Sequence, residues 1–240
     1  MFRAHPRHSY GPTVAFTLVA ALLILIWVAG GASRADVLGQ PLVRLSSWLA
    51  LIVAVLAGQR HTFGRARVPA AILFVGAVLV AIQLVPLPPA IWTALPGRAL
   101  FTHAAEVAGE AQPWRPLSIS PGATLNSLLS LIVPAVVLFL ATKLSANEHW
   151  RLLKLLCALI ALSALLALAE FTGQSFDNPF VNDVPTMISA NFANRNHLAL
   201  MLAFGMVASF ALAYDARKPR WAAIAAVAAA LFLGLGILST

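Results

Sequence analysis

Apolar residues in this chain neither alternate nor keep to one helical face. They come in long blocks separated by short polar stretches, at 13–31, 45–57, 69–87, 124–142, 150–171, 194–214 and 221–240. The second block begins near Leu42 if it is to be long enough to span, which leaves Arg44 at its edge. Most blocks approach the ~20 residues an α-helix needs to cross the hydrocarbon core of a bilayer. A transmembrane barrel would show short alternating segments instead. The pattern predicts an all-α fold: a polytopic transmembrane helical bundle of about seven spans. No long repeat or low-complexity linker interrupts it, so residues 1–240 read as a single transmembrane domain.

Local signals refine the helix ends. Pro69 suits a first helical turn, and Pro134 predicts a kink in the fourth span. Asn194 is a good N-cap for the sixth. In the last block Ala222, Ala226, Ala230 and Gly234 recur every four residues. Such a stripe lets a second helix approach closely, or else belongs to an alanine-rich helix without a specific partner. The first block, followed by Ala32-Ser33-Arg34-Ala35, has the outline of a signal peptide. It is longer than a signal core, and is read as a retained helix.

Composition agrees. Hydrophobic residues make up 60% of the chain and charged residues 10%, against roughly 25% charged in soluble domains. The net charge of +8 comes from bases in alternate loops: Arg3 and Arg7, then Arg60, Arg65 and Arg67, then Lys143, Arg151 and Lys154, then Arg217, Lys218 and Arg220. The acids Asp36, Glu106, Glu110, Glu170, Asp177 and Asp183 favour the opposite set. The positive-inside rule then makes the N-terminus cytoplasmic and puts the 88–123 and 172–196 loops outside. No basic, aromatic-interleaved surface suggests nucleic acid as a partner. Trp92 and Trp114 mark the 88–123 loop as interfacial, because Trp gathers at membrane–water boundaries. The single cysteine, Cys157, excludes an intrachain disulfide, and no Cys/His spacing suits a metal. No nucleotide or metalloprotease motif is present, so no cofactor is expected.

One stretch is chemically out of place: Asn191-Phe192-Ala193-Asn194-Arg195-Asn196-His197, abutting an apolar run. A helix start favours an anion, and a guanidinium matches phosphate oxygens as a rigid fork. Arg195, with Asn191, Asn194 and Asn196 as further donors, could form a phosphate or diphosphate pocket at headgroup level. The alternative is a snorkelling Arg195 paired with Asp177, Asp183 or a lipid phosphate. His197 reads as a proton carrier or as a hydrogen-bonded helix-start residue. Glu170 reads as a base, a partner for Arg195, or a solvated interfacial carboxylate. Arg115, in Trp114-Arg115-Pro116-Leu117-Ser118-Ile119-Ser120-Pro121, is a second cation on the same side.

Phe192-Ala193-Asn194-Arg195-Asn196-His197, opening a helix after an outer loop, resembles the signature of the O-antigen ligase / O-antigen polymerase family. Pro116-Leu117-Ser118-Ile119-Ser120-Pro121 with Thr124, and Phe171-Thr172-Gly173, are similar to two weaker stretches of that family, in the same order. The resemblance covers about 85–240 and implies a bacterial inner-membrane, multi-pass, glycosyltransferase-like protein of lipopolysaccharide and polysaccharide biosynthesis in the cell envelope. Such a protein moves a glycan from an undecaprenyl diphosphate carrier to a glycan or lipid A-core acceptor on the periplasmic face, without a metal. Arg195 would contact the diphosphate, and Asn194, Asn196 and His197 would shape its site. Ala190-Asn191 stands where the family often has Gly-Thr. Family members continue past a position like Thr240 into a large periplasmic loop. The resemblance therefore predicts an N-terminal portion, lacking the catalytic loop and inactive alone. Two other classes fit the sequence: a transporter or flippase for a lipid-linked substrate, and a non-catalytic membrane assembly protein. The first predicts a polar midplane, for which Ser130 and Ser163 are the main candidates.

Overall fold

The apolar blocks that lie within the described residues fold as helices. The computed structural model describes residues 13–32, 38–58, 64–174, 178, 180–181 and 188–213. In chain order these form α1 (Val14–Val28), α2 (Gly39–Leu56), α3 (Arg67–Ile82), β1 (Pro86–Leu87), α4 (Pro89–Trp92), α5 (Ala99–Ala108), β2 (Arg115–Pro116), α6 (Pro121–Ser130), α7 (Ile132–Ala141), α8 (Ala146–Phe171) and α9 (Arg195–Ala213). Among the described residues four segments are long and apolar enough to cross a membrane: Gly39–Leu56, Pro121–Ala141, Ala146–Phe171 and Arg195–Ala213. The apolar helices α1 and α3 are shorter, at 15 and 16 residues. Large apolar side chains such as Ile72, Phe74, Leu165 and Leu200 point outward, as expected where lipid replaces water around a helical membrane protein. The seventh block, 221–240, with its Ala222–Ala226–Ala230–Gly234 stripe, lies outside the described residues, as do Arg34, Asp177 and Asp183.

Proline decides where two helices depart from the expected blocks. The third block ends as a helix at Ile82 rather than at 87. Pro86 has no N–H and forces Val85 out of the helical region. The chain instead pairs antiparallel, Pro86 opposite Pro116 and Leu87 opposite Arg115. The fourth block breaks at Leu131 into α6 and α7. Pro134 cannot donate to the Ser130 carbonyl and its ring crowds that oxygen, which interrupts the helix at Leu131. The second helix begins at Gly39, upstream of Leu42.

The contacts divide the chain into two compact units, one drawn from 1–62 and 136–240, the other from 63–135. In the first, α1 packs on α2 and on α8, and α8 packs on α9. Ile160, Ala164 and Ala167 on α8 meet Leu198 and Leu202 on α9, with Ala190 and Phe192 closing the cluster. The alanines let the two backbones approach, as small residues do between membrane helices. In the second unit α3 packs on α6. The 88–123 loop is ordered rather than irregular. Trp92 is fully buried there, and its indole N–H donates to the Pro113 carbonyl at 2.8 Å. Trp92 is thus a core residue of this unit, and of the two tryptophans only Trp114 is exposed.

One carboxylate ties the starts of α1 and α8 together. Ser145 and Glu148 form a capping box, with the Ser145 hydroxyl accepting from the Glu148 N–H and Glu148 accepting from the Ser145 N–H. The other Glu148 oxygen accepts the Thr13 N–H at 2.9 Å, and the Thr13 hydroxyl caps α1 by accepting from the Phe16 N–H. Glu148 is 6% exposed, so its loss strands two backbone donors. Glu148→Ala should cost about 2–3 kcal/mol, the scale of hydrogen bonds to a buried charge, and Ser145→Ala about 1 kcal/mol, the scale of a cap. Thermal unfolding in detergent followed by circular dichroism checks the order. Equal and small effects would mean that the carboxylate does not join the two helices.

Candidate functional site

The end of α1 builds the platform beneath the 191–197 stretch. The last carbonyls of any helix lack intrahelical partners. Here two asparagines supply them. The Asn191 side-chain amide donates to the Trp27 carbonyl at 2.7 Å, and that of Asn178 donates to the Val28 carbonyl at 2.9 Å. The Asn191 side-chain Oδ1 accepts from the Ser163 hydroxyl at 2.8 Å, and that hydroxyl accepts from the Trp27 indole N–H, also at 2.8 Å. Trp27, Ser163 and Asn191, from α1, α8 and the loop before α9, therefore close a ring of three hydrogen bonds. Asn178 also accepts from the Phe180 N–H, a local turn.

Two glycines make room for this ring. Gly30 and Gly31 have φ of +58° and +75°, in the left-handed region. A Cβ on Gly30 would overlap the Val181 side chain and come within 2.6 Å of the Asn191 carbonyl. One on Gly31 would touch the Phe192 ring. Glycine adopts this backbone conformation at both positions without strain, and at Gly30 it also allows the close approach.

Glu170 fixes the other side of the loop. One of its oxygens accepts the N–H groups of Ser189 and Ala190, both at 2.9 Å. Ala190 is fully buried with φ +52°. A left-handed alanine costs roughly 1–2 kcal/mol, and two charge-assisted hydrogen bonds offset it. Consecutive N–H groups converging on one anion form a nest, and here the anion is the protein's own carboxylate.

Phe192 buries itself in the α8–α9 cluster, and the chain then turns outward. Asn194 caps α9: its side-chain oxygen accepts the Asn196 N–H at 2.8 Å, and its carbonyl accepts from His197 and Leu198. Asn194, Arg195, Asn196 and His197 are all exposed. Among the described residues Arg195 has no hydrogen-bond or ion-pair partner. The expected cluster thus separates by role. Asn191 is 2% exposed and its amide is spent on α1 and α8. Glu170 holds the loop backbone. Residues 194–197 carry the exposed polar surface.

Arg115 belongs to the other unit. Its guanidinium lies between the Trp92 and Phe101 rings, 5.5 and 5.4 Å from their centroids, a cation–π sandwich. Its Nε is buried without a hydrogen-bond partner. Among the described residues no group of three His, Cys, Asp or Glu side chains could hold a metal ion. Trp27 and Asn178 were not foreseen as parts of the platform. Ser163, a hydroxyl in the middle of an apolar block, was the one local signal that something polar had to reach it.

Ser163→Ala should destabilise the chain by about 1–3 kcal/mol, because the Trp27 N–H and the Asn191 oxygen both lose their partner. Adding Trp27→Phe removes the stranded donor and should restore part of that loss. Thermal melts of the single and double variants in detergent decide it, and simple additivity would show that the ring is not a coupled unit. No protein-family model, curated protein or solved structure matches this chain.

Proposed function

We propose that this chain binds the diphosphate of an undecaprenyl-linked glycan through Arg195, within a multi-pass protein of the bacterial inner membrane that transfers the glycan to an acceptor. The observation that carries the reading is an exposed guanidinium, free of protein partners among the described residues, in the first turn of a capped helix. A free cation and a positive helix end at one point favour a multiply charged anion. The likeness of 192–197 and 116–121 to the O-antigen ligase / polymerase family supplies the identity of that anion. In this proposal all seven apolar blocks cross the membrane with the N-terminus cytoplasmic. The loop charges support that orientation, which brings the start of α9 to the periplasmic face.

The chemistry follows. In glycan transfer an acceptor hydroxyl oxygen bonds to the anomeric carbon and releases its proton to solvent, the bond between that carbon and the diphosphate oxygen breaks, and the electron pair stays with the diphosphate. Arg195 would stabilise that growing charge, which is where a preorganised cation contributes most. Asn196 and His197 would complete the anion's hydrogen bonds from the same turn. Glu170 has the role of holding the Ser189–Ala190 backbone, so it is not cast as the base.

The test is direct binding of undecaprenyl diphosphate to the protein in nanodiscs. Arg195→Ala should weaken it about 10–100-fold, the equivalent of ~1.5–3 kcal/mol for a hydrogen-bonded charge. Arg195→Lys should recover only part, since an ammonium lacks the fork. Undecaprenol, without phosphate, should bind equally to all three proteins. Unchanged affinity in Arg195→Ala would sink the proposal.

A further inference from the structure

The segment between α3 and α6 has an apolar surface that the function above does not use. Helix α5 is held by one face. Phe101 lies against the Arg115 guanidinium, Ala105 is buried, and the Thr102 carbonyl accepts from the Gln112 side chain at 3.0 Å. At its start the buried Arg98 donates to the Pro116 and Leu117 carbonyls. At its end Gly109, with φ +67°, caps it, its own N–H bonding the Glu106 carbonyl and the next N–H bonding that of Ala105. These contacts fix the rotation of the helix about its axis.

Fixed in that way, α5 turns a second apolar stripe outward. Leu100, Ala104 and Val107 follow an i, i+4, i+7 spacing, and Leu100 and Val107 are each 75% exposed. His103 and Glu106 flank the stripe, paired at 3.7 Å and both open to solvent. Trp114, 65% exposed, and Ile91 and Ile119 extend the apolar surface along the same segment. An apolar stripe left open on a helix of fixed rotation, in a segment with an exposed tryptophan, calls for an apolar neighbour.

The partner is indicated by continuity. The α3 and α6 helices pack together, and the β1–β2 ladder joins the chain just after one to the chain just before the other. Ile82 and Val85 at the end of α3, and Ile119 and Leu125 at the start of α6, are exposed apolar side chains that only lipid suits. The ladder therefore anchors the segment that carries α5 at the ends of two apolar helices whose exposed side chains suit lipid, and the flank of the α5 stripe is polar. We infer that the 88–119 segment is a monotopic membrane-binding element. In it α5 lies in the headgroup–acyl boundary, Leu100, Ala104 and Val107 face the acyl chains, Trp114 sits at headgroup level, and His103 and Glu106 face water. Such a helix is recognised by an apolar stripe beside a polar face rather than by its length, and an exposed tryptophan beside it is a usual interfacial anchor. This inference is independent of any role for Arg195.

The test uses the full chain carrying Cys157→Ala, with Leu100→Cys, Val107→Cys, His103→Cys or Glu106→Cys added one at a time. Each thiol receives a nitroxide, and the protein is reconstituted in vesicles of phosphatidylethanolamine and phosphatidylglycerol. Oxygen concentrates among acyl chains, whereas a nickel chelate stays in water. Oxygen collisions should exceed nickel collisions severalfold at positions 100 and 107, with the ratio reversed at 103 and 106. Nickel access at 100 and 107 equal to that at 103 and 106 would overturn the inference. So would shielding of 100 and 107 from both reagents, which would mean that a protein surface covers the stripe. All four labelled proteins should elute in detergent like the unlabelled chain, which shows that the substitutions preserve the fold.

Discussion

The carbonyls at the end of α1 are the constraint on which the Asn194–His197 surface depends. A helix that stops among other apolar helices leaves acceptors that water does not reach, and each unmet one costs as much as a lost hydrogen bond. The protein meets them with side chains, not by extending the helix. Asn178 takes the Val28 carbonyl, and Asn191 takes that of Trp27. Because both asparagines come from the segment that leads into α9, capping α1 also places the start of α9. Asn191 is further locked by Ser163 on α8. Its two side-chain hydrogen bonds leave little freedom for the chain two residues on, where Ala193 turns out of the core toward Asn194.

Rigidity on the α8 side comes from a different device with the same logic. Glu170 neutralises two successive backbone N–H groups and so permits a left-handed Ala190, which alanine would otherwise avoid. Gly30 permits the Asn191 backbone to come close. Each strained or crowded position sits against a satisfied polar group. The exposed polar turn at 194–197 therefore rests on a base whose own polar demands are met from within, and its donors are available outward.

Much of the fold was legible in the sequence because it follows from local rules. Block length gives helices; Pro134 gives the break at Leu131; and Asn194 is recognisable as a cap. What was not legible depends on partners far along the chain. Asn191 and Asn194 are the same residue type three positions apart, yet one is buried and the other exposed. The difference is made by the Trp27 carbonyl, 164 residues away, and by Ser163. Glu148 reads locally as a cap, but its second oxygen serves Thr13, 135 residues upstream. Trp92 and Trp114 look equally suited to an interface. Only the fold shows that one indole is spent on Pro113 while the other is open. Composition reports that polar residues must be satisfied, but not by which partner.

The arginines extend this argument. Arg98 is buried and spends its guanidinium on two carbonyls. Arg115 lies between two rings and turns a charge into a packing element for α4 and α5. Both are cations whose cost in an apolar setting is offset inside the protein, by carbonyl oxygens in one case and by aromatic faces in the other. Arg195 differs in kind. It stands on a helix start that already repels cations, and the nearby carboxylate of Glu170 is directed to backbone N–H groups. A cation placed against the helix dipole is unfavourable unless something negative arrives from outside. That imbalance, more than the residue types in the turn, is the physical reason to look for an anion there. In the proposed reading the ligand would bring enough negative charge for a guanidinium and a helix end together, which a diphosphate does and a neutral headgroup does not.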